Sequence, residues 1–62
     1  MLYEKVIEYC KKNNISVSRF EQMCGIGNGT VRLWKNDEII PRLKTLQKIA
    51  EATKIPVKKW ID

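Results

Sequence analysis

Histidine is absent from this chain of 62 residues, and its absence removes much of the usual catalytic chemistry. No imidazole is available as a general base near neutral pH or as a metal ligand. The two cysteines, Cys10 and Cys24, form no Cys-x-x-Cys pair, so a zinc site has too few ligands. Neither has a base partner in view, and the seven acids are scattered. An enzyme is not expected, nor a metal, another cofactor or a small-molecule ligand. No apolar run approaches the roughly 20 residues of a membrane span, and no signal-peptide core follows Met1. The chain reads as soluble and cytoplasmic, with both thiols buried and reduced rather than bridged.

Charge of one sign prevails. Twelve Lys and Arg against seven Asp and Glu leave a net charge of +5. That balance favours an anionic partner, with nucleic acid ahead of a membrane surface, although simple solubility is a rival explanation. The length allows one domain over residues 1–62. Such a chain buries only about 60% of its unfolded surface, which leaves little room for a pocket.

Glycine is scarce too, and its placement is informative. All three, Gly25, Gly27 and Gly29, fall within five residues. Phe20, Met23 and Cys24 precede them at helical spacing, and Val31 and Trp34 follow. This reads as helix, tight turn, helix. The second helix then carries Asn28, Gly29, Arg32 and Lys35 away from its apolar side. A short helix with a polar, cationic outer face is the shape of a major-groove reader.

The rest of the chain supplies support. Leu2, Tyr3, Val6, Ile7 and Cys10 predict an amphipathic first helix over 2–12, ended by Asn13-Asn14. Ser16 is the preferred start of the second, with Ile15 and Phe20 in hydrophobic-staple register; Ser18 with Glu21 is a rival capping box. The third is expected from about Asn28 to Lys35, with Gly27 as its cap. Pro41 disfavours helical angles at Ile40, so 36–41 reads as a loop. Leu43, Leu46, Ile49, Ala50 and Thr53 mark a fourth helix over about 42–54, and Val57, Trp60 and Ile61 a fifth over 57–61. The expected fold is a compact all-α domain of five helices, with the helix-turn-helix at the second and third.

This ordered set resembles the phage-repressor/Cro-type, Xre-like helix-turn-helix domains. Ile15-Ser16 opens the first helix of the motif, Gly25-Ile26 makes its turn, and Thr30-Val31 and Trp34 fall within the reading helix. Pro41, Leu43, Thr45-Leu46, Lys48-Ile49-Ala50, Ile55-Pro56-Val57 and Trp60 follow at the family's intervals. The match runs from about residue 3 to 61. It departs at Val17, where the family has a phosphate-gripping glutamine, at Glu21, where it has a small residue, and at Arg42, where it has a serine cap.

The resemblance implies a lambda-repressor-like fold and a sequence-specific regulator of transcription on double-stranded DNA, repressor-like and phage-like. Carried over position by position, the base-facing residues are Asn28, Gly29, Arg32 and Leu33. Asn28 pairs with adenine or caps the turn. Arg32 forks onto guanine or holds a phosphate, and Leu33 touches a thymine methyl or packs at the rim. Gly29 either brings the backbone close to the groove from inside the helix or belongs to a loose turn, with the helix starting at Thr30. The phosphate contacts fall to Ser16, Ser18, Lys35, Asn36 and Arg42, with a solvated side chain as the alternative for Arg42.

Two copies on a palindromic operator are expected, pairing as a homodimer either in solution or only on the DNA. Ile39, Ile40, Trp60 and Ile61 are the candidate contacts, unless they close the core, which is the preferred reading for Trp60. Met1 and the end at Asp62 favour a bare Cro-like regulator over a fragment. The rival of a different class is a protein-interaction module of the same fold, of antitoxin or anti-repressor type. RNA binding ranks lower, for want of exposed aromatic stacking groups.

Overall fold

The computed structural model describes residues 2–35 and 41–61. Among these described residues five helices follow one another: α1 (Leu2–Lys12), α2 (Val17–Cys24), α3 (Thr30–Leu33), α4 (Leu43–Thr53) and α5 (Val57–Ile61). None is long and apolar enough to cross a membrane.

Local chemistry sets the boundaries. The α1 helix stops at Asn14, which takes a left-handed φ of 55°. The Ile15 N–H then reaches back to the Cys10 carbonyl (3.0 Å) and the Asn14 N–H to Lys11 (3.2 Å), the paired bonds of a Schellman ending. Ser16 caps α2: its hydroxyl accepts from the Arg19 N–H at 3.0 Å. Such a bond contributes about 1 kcal/mol. Ser16 therefore wins over Ser18 as the cap.

Arg42 takes the cap position of α4 with no side-chain bond, and Lys54 ends that helix at φ 62°. Along α4 the buried stripe is Leu46, Ile49 and Thr53, whereas Leu43 is 63% exposed. The Thr53 hydroxyl donates to the Ile49 carbonyl at 2.7 Å, so its burial leaves nothing unsatisfied.

The core draws on every helix. Val6, Phe20, Val31 and Ile49 are fully buried, and Cys10, Cys24, Trp34 and Trp60 join them. Each large apolar side chain removed from water contributes roughly 1.5–3 kcal/mol. Tyr9, Phe20 and Trp60 form an aromatic trio with ring centroids 5.7–6.1 Å apart, tilted as ring quadrupoles prefer. This seats α5 against α1 and α2. Trp60 is thus a core residue at 3% exposure, the reading preferred for it over a dimer contact. Ile61, its neighbour, is 62% exposed, while Ile39 and Ile40 lie outside the described residues.

Both cysteines are free and buried. Burial pushes the Cys10 thiol up, and burial together with the nearby Cys10 pushes Cys24 up to about 11. Raised thiols of this kind pack as small apolar groups and are poor nucleophiles.

Candidate nucleic-acid interface

The α2 helix ends where Gly25 adopts φ 70°, with its N–H on the Gln22 carbonyl (3.2 Å) and the Ile26 N–H on Glu21 (3.0 Å). These two bonds again make a Schellman ending, and the left-handed angle explains why glycine stands there. The chain then turns through Ile26, Gly27 and Asn28 to Gly29, the cap of α3, at φ 88°. A residue with that angle cannot lie inside a right-handed helix.

This corrects one expectation and decides between two others. The reading helix does not run from Asn28 to Lys35 but is a single turn, Thr30–Leu33. Gly29 is not inside the helix but caps it, as the alternative of a helix starting at Thr30 had it, and its left-handed backbone angle suits glycine. A Cβ built on it would meet nothing within 4 Å, so the space above it is open. Tight i to i+3 bonds flank the helical turn on both sides. The Thr30 N–H donates to Gly27 (3.1 Å), Trp34 to Val31 (3.0 Å) and Lys35 to Arg32 (3.2 Å).

What holds this glycine-rich stretch is Glu21, expected only as a departure from the family pattern and as the partner of Ser18 in the rival capping box. Glu21 is 3% exposed, the one buried acid among the described residues. Its Oε1 accepts from the Gly29 N–H at 3.1 Å and its Oε2 from the Val31 N–H at 2.9 Å. With Thr30 bonded to Gly27, three successive N–H groups at the start of α3 all have partners. Glycine has no side chain to cap a helix, and the glutamate does so from α2. A signal was present in the sequence. Val17, Phe20, Glu21 and Cys24 follow an i, i+3, i+4, i+7 spacing, which places Glu21 on the inward face.

The expected site residues fall as follows. Asn28, Gly29, Arg32 and Leu33 are all exposed, Leu33 by 53%, while Val31 within α3 and Trp34 just after it are buried. Asn28 stands in the turn, so it does not share a helical face with Arg32. Ser16 and Ser18 are exposed on α2, with the Ser16 hydroxyl already engaged as the cap. Ser18 and Asn28 line one small hollow of about 190 Å³ with Glu21, Gln22 and Ile26. Lys35 is exposed beyond α3, and Arg42 is exposed at the start of α4. That helix packs on α2 and α5. Asn36 lies outside the described residues.

A family model described as helix-turn-helix matches residues 6–60 of this arrangement. The chain belongs to the Cro/C1-type helix-turn-helix family. It is accordingly a DNA-binding helix-turn-helix regulator with a lambda-repressor-like all-helical fold. The motif itself is α2, the Gly25 turn and α3. No curated protein and no solved structure matches the chain.

Proposed function

We propose that the protein acts as one domain that binds a specific double-stranded operator in repressor fashion, by recognition and not by catalysis. The turn before α3 and α3 itself enter the major groove. Asn28, Arg32 and Leu33 face base edges there, and the bare Gly29 lets the duplex come close. Ser16, Ser18, Lys35, Asn36 and Arg42 hold phosphates and set the register. The observation that carries this reading is the division of one short stretch of chain, the turn and α3. Val31 and Trp34 anchor it in the core, while Asn28, Gly29, Arg32 and Leu33 stand in solvent. A polar ridge with one exposed leucine matches the mixed hydrogen-bond and methyl pattern of a major groove.

The small reading surface favours two copies on a pseudo-palindrome, with half-sites about 34 Å apart. The exposed Ile61 supports a pairing contact near the end of α5. Selection of binding sites from a random duplex pool tests the proposal. The expected result is a palindromic motif whose binding weakens steeply with salt. Failure to enrich any motif, or binding indifferent to salt, would overturn it.

A further inference from the structure

We infer that Glu21 is the positioning residue of the reading turn, and that it couples the phosphate anchors on α2 to the base readers beyond it. The inference rests on the DNA-reading assignment just made. Three glycines in five residues leave the course of the chain almost unconstrained by local sterics. The α3 helix, a single turn, is too short to organise itself. Glu21 belongs to α2, yet its two carboxylate oxygens hold the Gly29 and Val31 N–H groups at 3.1 and 2.9 Å.

Those bonds bracket the turn. Asn28 precedes the first bonded residue and Arg32 follows the second. The hollow lined by Ser18, Glu21 and Asn28 shows how closely anchor, clamp and reader are set. With Ser16 and Ser18 on the same helix as Glu21, the carboxylate fixes the distance from backbone grip to base contact. Both N–H groups at the ends of this bracket are occupied, so sequence discrimination falls to side chains whose placement Glu21 controls. Its loss should therefore damage discrimination more than general affinity for DNA.

The experiment compares wild type with Glu21→Gln on the duplex recovered by selection and on a scrambled duplex of equal length. Glutamine keeps the size but replaces one acceptor oxygen with a donor that faces an N–H. Affinity for the selected duplex should fall about 10- to 100-fold, the scale of one or two misplaced base contacts. Affinity for the scrambled duplex should stay within about threefold, since phosphates supply it. Amide exchange at Gly29 and Val31 should quicken while the core amides of Val6 and Ile49 stay protected. Unchanged discrimination, or equal losses on both duplexes in step with the unfolded fraction, would overturn the inference.

Should Glu21→Gln fail to fold, the chain is short enough for total synthesis with an ester replacing the amide N–H of Val31. That substitution keeps every side chain, and it too should lose discrimination. An ester chain that discriminates like wild type would overturn the inference. If wild type enriches no motif at all, the DNA-reading assignment fails first; a clear motif read equally well by the altered chains sinks only the role of Glu21.

Discussion

Val31 and Arg32 are adjacent in sequence but divided between core and solvent: Val31 is fully buried and Arg32 is exposed. One peptide bond thus separates a residue that holds α3 in place from one free to meet a ligand. The two should answer mutation differently. Val31→Ala removes two buried methyl groups and should lower folding stability by about 2 kcal/mol. Arg32→Ala should leave stability within about 0.5 kcal/mol. It should cost ~1–3 kcal/mol in binding and relax preference at one base position. Urea denaturation paired with binding to single-base variants of the selected duplex checks both. Uniform weakening by Arg32→Ala across all duplexes would reassign that residue to the phosphates.

Lys35 and Arg42 are exposed cations outside the helical turn. As phosphate contacts, each contributes counterion release and no sequence information. Lys35→Ala and Arg42→Ala should each flatten the log–log salt dependence of binding by about one unit, with the preferred motif unchanged. A changed motif with an unchanged slope would place the residue at a base edge.

Gly29→Ala separates two explanations of that glycine. At φ 88°, with nothing within 4 Å of an added Cβ, the penalty is one of backbone angle alone. Folding stability should fall by about 1–2 kcal/mol. A gain in stability, as for a glycine relieved inside a helix, would restore the longer reading helix. Thermal or urea unfolding decides between them.

The thiols give a prediction in pH. Cys24 is pushed from the ordinary 9.0 to about 11 in the fold, chiefly by burial. The folded state binds this proton more tightly than the unfolded chain, so the associated stability is fully present below about pH 9 and is lost as pH rises through about 11. Cys24→Ala should decline less between those limits than wild type in urea titrations. Alkylation of the native thiols at pH 8 should be much slower than in denaturant.

Much of this architecture was legible where the relevant chemistry is local. Helical spacing and the Ser16 cap located α1 and α2, and Gly25 marked the turn because a glycine backbone takes a left-handed ending without strain. The start of α3 was misread because side-chain pattern does not reveal the sign of φ at Gly29. Glu21 was visible on the inward face of α2, but its partners lie eight and ten residues ahead, across a turn, and periodicity does not encode that pairing. Trp60 read as a core residue in preference to a dimer contact, but its spacing did not name its partners. Its place beside Tyr9 and Phe20 is a matter of packing between helices distant in sequence.

The central claim concerns which face meets DNA, and the protein offers a second cationic surface as a control. Lys5, Lys12 and Lys59 line a groove with Glu8, Tyr9, Ile55 and Trp60, none of them a residue of the motif. Titrating ¹⁵N-labelled protein with its selected duplex, and following backbone amide shifts, compares the two faces directly. The largest changes should fall at Ser16–Ser18 and from Gly27 to Lys35, with Lys5, Lys12 and Lys59 nearly still. Changes centred on that groove, with Asn28 and Arg32 unmoved, would contradict the account.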